Sequence, residues 1–159
     1  MECKFLKMIN KVTVPAILPV LITLFLLSSC AVNDKPQPVV QGKDVCSGCE
    51  MTIVDLKFAA EIITNKGRCL KFDDLSCMFH YISKMQEPEK TILKMYVADY
   101  LHKDTFLDIK KATLILGDSI SSPMNGGVAA FSSPELVVEY AKSLKAEVLD
   151  TWERLRIQH

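Results

Sequence analysis

Residues 46–51, Cys46-Ser47-Gly48-Cys49-Glu50-Met51, place two thiols and a thioether within six positions. Three chemistries use such a set. A Cys-x-x-Cys pair exchanges disulfides when it sits at a helix N-terminus that lowers the pKa of its first thiol. It forms half of a zinc knuckle when a second close pair follows. Thiolate with thioether can instead hold a soft ion such as copper(I), because both donors are polarisable.

The surroundings weigh on each. A polar stretch, not a strand, precedes Cys46, and Met51-Thr52-Ile53-Val54 after it reads as extended chain. Cys69 and Cys77 follow eight positions apart, which is not a close second pair. In an exported chain, Cys46, Cys49, Cys69 and Cys77 also allow a disulfide framework, with three connectivities. A chain of this size can bury a core without such bridges. Cys77 falls near an apolar helical stripe and reads as a small core hydrophobe. A second soft donor is Met124, in Ser121-Ser122-Pro123-Met124-Asn125-Gly126-Gly127, where a turn leaves its side chain free to project. Met78, Met85 and Met95 read as core filler. His80, His102 and His159 lack metal-ligand spacing, and no nucleophile, general base or cofactor loop is evident, so the chain does not read as an enzyme.

The elements that must position these residues are short strands and two helices. Phe58 to Thr64 is a β-branched run, Asn65-Lys66-Gly67 a turn, and Arg68 to Phe72 a second strand. Asp73 or Asp74 caps a helix carrying Leu75, Met78, Phe79, Ile82 and Met85 at helical spacing. Pro88 closes that region, and Lys94 to Tyr100 reads as a third strand. Ala112 to Leu116 and Val128 to Phe131 then read as strands around the Gly/Ser/Pro/Asn-rich loop. A helix with Pro134 in its first turn follows, capped by Ser132 or Ser133, with Ser132 and Glu135 forming a capping box. Its stripe is Leu136, Val137, Tyr140, Ala141 and Leu144, and a last strand lies at Glu147 to Leu149. An offset of 59 pairs Gly67 with Gly126, Phe72 with Phe131 and Tyr81 with Tyr140. The expected fold is α+β: tandem ββαβ units, each a small antiparallel or mixed sheet covered by one helix. The expected units are 46–103 and 104–159.

The first thirty residues read as an address. Lys4, Lys7 and Lys11 precede an uncharged apolar run, Val12 to Leu27, that is short for a bilayer span and suits a signal-peptide core. Leu27-Ser28-Ser29-Cys30 resembles a bacterial lipobox, which makes 1–29 a lipoprotein signal peptide and Cys30 the lipidated N-terminus. Residues 30–45 then form a flexible tether, of which Ala31 to Val45 could reach about 50 Å fully extended. The leader holds three of the 19 basic and one of the 19 acidic residues, so the remainder carries 16 against 18. That balance offers no footprint for nucleic acid and no polybasic membrane patch.

Cys49-x-Met51, Phe72-Asp73-Asp74, Val97-Ala98-Asp99-Tyr100, Pro123-Met124-x-Gly126 and Ala130-Phe131 together resemble the NosL family, in that order and from Cys46 to Leu144. NosL proteins are lipoprotein copper chaperones associated with nitrous-oxide reductase. The resemblance implies a tandem ββαβ fold and a copper(I) site joining Cys49 to Met124, with Met51 and Cys46 as further candidate ligands. It implies nitrous-oxide reductase or its assembly machinery as the partner, and its copper–sulfide centre as the destination. It also implies the bacterial cell envelope as the location, lipid-anchored through Cys30 on the periplasmic side of a membrane. This chain departs from the family in having Glu50 where glycine is usual, and Asn125 between Met124 and Gly126. Two other classes stay open: a thiol–disulfide oxidoreductase using Cys46 and Cys49, and a structural lipoprotein with bridged or buried cysteines.

Overall fold

The computed structural model describes residues 32–149 together with Trp152 and Leu155; the leader, Cys30 and the remainder of 150–159 lie outside the described residues. In chain order the strands are β1 (Ala60–Thr64), β2 (Cys69–Phe72), β3 (Ile92–Ala98), β4 (Phe106–Asp108), β5 (Thr113–Leu116), β6 (Val128–Phe131) and β7 (Glu147–Leu149). Within residues 32–149 the helices are α1 (Leu75–Ser83), a single turn α2 (Pro88–Thr91) and α3 (Pro134–Ser143). Two antiparallel sheets result, ordered β2-β1-β3-β4 and β6-β5-β7. Each half is therefore a ββαβ unit whose first strand lies between the second and third.

The internal repeat has a physical counterpart in packing. Phe72 at the end of β2 meets Tyr81 of α1 with ring centroids 5.4 Å apart, and Phe131 at the end of β6 meets Tyr140 of α3 at the same 5.4 Å. Both phenylalanines are fully buried, so each pair pins a helix to its own sheet. The offset holds from strand to helix and fails in the preceding loop. The left-handed turn glycine is Gly67 in the first half but Gly127, not Gly126, in the second. That second loop, residues 117–127, is much longer than residues 65–68, and it carries Met124.

The halves share a core. Leu114, Val128, Ala130 and Leu149 of the second sheet pack in one cluster with Ile62, Phe72, Met78 and Phe79 of the first half. The alternate residues Ile115, Ala129 and Phe131 pack with Val137 and Ala141 of α3. Tyr100 joins the two: its backbone N–H donates to the Ala130 carbonyl at 2.8 Å, and its ring contacts Phe58, Phe131 and Tyr140. Tyr140 and Leu144 are half-buried beside that cluster, while the Leu136 side chain lies outside the described ones.

Four expectations need correction. Phe58 sits in a 3-10 turn before β1, not in the strand. β4 pairs with β3, so the first sheet continues to Asp108, past the expected boundary at 103. The capping box is not formed: Ser133 is the N-cap, its side chain accepts no backbone N–H of the helix, and its hydroxyl instead donates to the Glu135 carboxylate. Ser132 instead partners the buried Asp99 carboxylate, a stronger claim on a hydroxyl than a solvated helix end. Lastly, the expected flexible tether is bound to the first sheet from Asp34 onward. Buried Glu61 accepts the Gln37 N–H at 2.9 Å, Lys71 Nζ donates to the Pro38 carbonyl at 2.7 Å, and Tyr96 OH donates to the Asp34 carbonyl at 2.8 Å. Polar side chains on a covered sheet face require partners, and this segment's backbone supplies them.

Candidate metal centre

The Cys46–Met51 segment is the tip of a hairpin. Val45 and Thr52 form its bridge, the Cys46 N–H donates to Met51 O at 2.8 Å, and the Glu50 N–H donates to Cys46 O at 3.0 Å. Closing this tight loop puts Glu50 at φ 63, in the left-handed region that glycine enters without a Cβ penalty. The glycine that the resemblance leads one to expect here would meet that backbone requirement freely, whereas Glu50 meets it at some strain. The Ser47 N–H donates to Lys71 O at 2.7 Å, and Lys71 Nζ bonds Asp44 Oδ2 at 2.7 Å, fastening the hairpin to β2.

That attachment brings the thiols to the start of α1. Cys46 Sγ donates to Asp73 Oδ1 at 3.3 Å and Cys49 Sγ to Asp73 Oδ2 at 3.2 Å. Cys77, one turn into α1, completes the group: one ligand atom each from Cys46, Cys49, Asp73 and Cys77 lie within 4.8 Å of one another. The approach is close because residue 48 is glycine; a Cβ there would stand 3.1 Å from Cys77 O. All four cysteines among the described residues are free thiols. Burial pushes the Cys49 thiol up to about 11, aided by its bonds to Asp73 and Cys46 and opposed by the Met51 N–H. Burial, then the Asp73 hydrogen bond, also hold Cys77 well above the usual thiol range. Both are protonated near neutral pH, so an incoming ion must displace protons.

Asp74 does for the other half what Asp73 does for the hairpin. Its Oδ1 accepts the Cys77 N–H at 2.9 Å as the N-cap of α1. Its Oδ2 accepts the Ser122 hydroxyl at 2.8 Å and the Met124 N–H at 3.0 Å. The loop from the second half is thereby tied to the first turn of α1, with Asn125 at φ 56 turning the chain. Cys49, Cys77 and Met124 line one open groove of about 730 Å³, with His80 and Met85 farther along it.

The sequence-predicted residues therefore separate. Cys49 and Met124 both line the groove, Met124 being 40% exposed. Cys46, 1% exposed, and Met51, 50% exposed, are not among the residues that line it. Sequence reasoning placed Cys77 in the core, where it does pack at 6% exposure, and Asp73 among possible caps; that Cys77 also borders the groove was not foreseen. The doubled carboxylate was the available signal, since one N-cap needs only one. Chemically, the site offers three thiols, a carboxylate and a nearby thioether, a donor set that favours soft ions over hard ones.

Residues 37–153 match the family model described as NosL. Among solved structures, the crystal structure of the copper chaperone NosL from Shewanella denitrificans is similar, with a TM-score of 0.65 and 16% sequence identity, covering 76% of this chain and 95% of that one. At that identity the likeness shows the fold. No curated protein matches the chain.

Proposed function

Because the chain belongs to the NosL family, we propose that it is a copper(I) chaperone that delivers its ion to the copper–sulfide centre of nitrous-oxide reductase or to the machinery assembling it. The observation that carries this reading is that Cys49 and Met124, from opposite halves of the chain, line one groove. Thiolate and thioether are both soft donors that suit copper(I), and the exposed Met124 leaves the ion within reach of an acceptor's ligand. Handover then passes through a shared complex and never frees the ion. Binding and handover need no catalytic group. The rival oxidoreductase reading needs its first thiol, Cys46, open to a substrate disulfide, whereas Cys46 is 1% exposed.

Competition titration against a copper(I) chelator tests the site. Cys49→Ser is expected to lose at least about tenfold in affinity, roughly 1.4 kcal/mol, and Cys46→Ser clearly less. Equal losses would replace the Cys49–Met124 pair with a two-thiolate clamp.

We place the protein in the bacterial cell envelope, held on the periplasmic side of a membrane by acyl chains on Cys30. Cys30→Ser should then lack acyl chains and move to the soluble exported fraction. Retention of both lipid and membrane association would show that processing occurs elsewhere.

A further inference from the structure

We propose that Cys77 is a third sulfur ligand of the ion, completing a trigonal site with Cys49 and Met124. The inference rests on the copper(I) reading above and adds a residue that the family resemblance does not carry. Three observations converge on it. Cys77, although 6% exposed, borders the groove that Cys49 and Met124 also line, whereas Cys46, at 1%, does not. Thiolate sulfurs bind a first-row ion at about 2.3 Å, so two of them on one ion stand at most about 4.6 Å apart. The donor atoms of Cys49 and Cys77 already lie within 4.8 Å. Finally, the Asp74 carboxylate bonds the backbone N–H of both Cys77 and Met124, so one group sets the placement of two of the three sulfur-bearing residues.

Cys46 and Cys77 thereby take different roles. Cys46 stays a hydrogen-bond donor to Asp73 and steadies the hairpin. Cys77 supplies the contact that retains the ion while Met124, at the mouth, is exchanged for an acceptor's ligand.

The test uses the full mature chain loaded with copper(I) alone. Parent, Cys77→Ser, Cys77→Ala and Cys69→Ser proteins are compared by chelator competition and by X-ray absorption at the copper edge. Cys69 is the control thiol: it lies on β2 with its thiol beside Glu61, pushed up to about 12 by burial and that carboxylate. The expected result is three sulfur neighbours in the parent and Cys69→Ser, two in both Cys77 variants, and about a tenfold affinity loss confined to the Cys77 variants. Unchanged melting temperatures of the copper-free variants would assign the loss to coordination and not to the fold. An unaltered sulfur count and affinity in both Cys77 variants overturns the inference and leaves the Cys49–Met124 site standing. Failure of the parent itself to bind copper(I) overturns both.

Discussion

Asp74→Ala is expected to cost about 3 kcal/mol or more of folding stability, measured by urea unfolding of the copper-free protein. Losing an N-cap side chain alone costs about 1 kcal/mol. Asp74 is 2% exposed, and it also bonds the Ser122 hydroxyl and the Met124 N–H. Stranding a buried or half-buried donor adds about 1–3 kcal/mol per group. Asp74→Asn separates these contributions. Its amide oxygen can still cap α1, but the NH₂ now faces the Met124 N–H, donor against donor. The Asn variant should therefore lose less stability, about 1–2 kcal/mol, while still weakening copper(I) binding. A surface-like loss below about 0.5 kcal/mol for Asp74→Ala would mean that the junction of the halves does not depend on this carboxylate.

The second expected result is that copper(I) stabilises the fold by bracing the halves together. Free ion at 100 times its dissociation constant should add about 2.7 kcal/mol. Met124→Leu keeps bulk and apolarity at an exposed position, so its copper-free stability should change by less than about 1.5 kcal/mol. A tenfold loss of affinity at the same free ion leaves about 1.4 kcal/mol of that stabilisation, read as a halved copper-dependent rise in melting temperature. Met78→Leu, in the shared core at 0% exposure, should keep the full rise. If Met124→Leu is stabilised as strongly as the parent, Met124 is not a ligand, and Met51 becomes the better partner for Cys49.

Most of the secondary structure was legible because local signals and packing agree. The Val128–Phe131 strand and the Pro134-led helix follow from β-branched and apolar spacing, and the Phe72–Tyr81 and Phe131–Tyr140 pairs reflect the repeat already visible in the chain. β4 was not legible, since Phe106–Asp108 is too short to show an alternating pattern and the seven-residue loop 99–105 that joins it to β3 holds neither glycine nor proline. The site was legible only by halves. Cys49 stood out through its place in Cys-x-x-Cys-x-Met and Met124 through its turn, while their pairing was what the family resemblance implied. Cys77 did not, because a thiol near an apolar stripe looks like core until the hairpin is seen to close against α1. Asp73 hid behind its neighbour: in sequence the two carboxylates are equivalent caps, and only the fold gives one to the thiols and the other to the loop.

The docking of residues 34–45 along the first sheet also changes how the domain would explore its surroundings. With Cys30 as the proposed anchor, the contour from Cys30 to the first docked residue, Asp34, is at most about 14 Å. A free segment running to Val45 would instead have allowed about 50 Å. The search volume around the anchor scales with the cube of that length, so it shrinks roughly fortyfold, and the local concentration of the groove near the lipid surface rises in proportion. Such an arrangement favours an acceptor that is itself membrane-bound over one diffusing freely through the compartment.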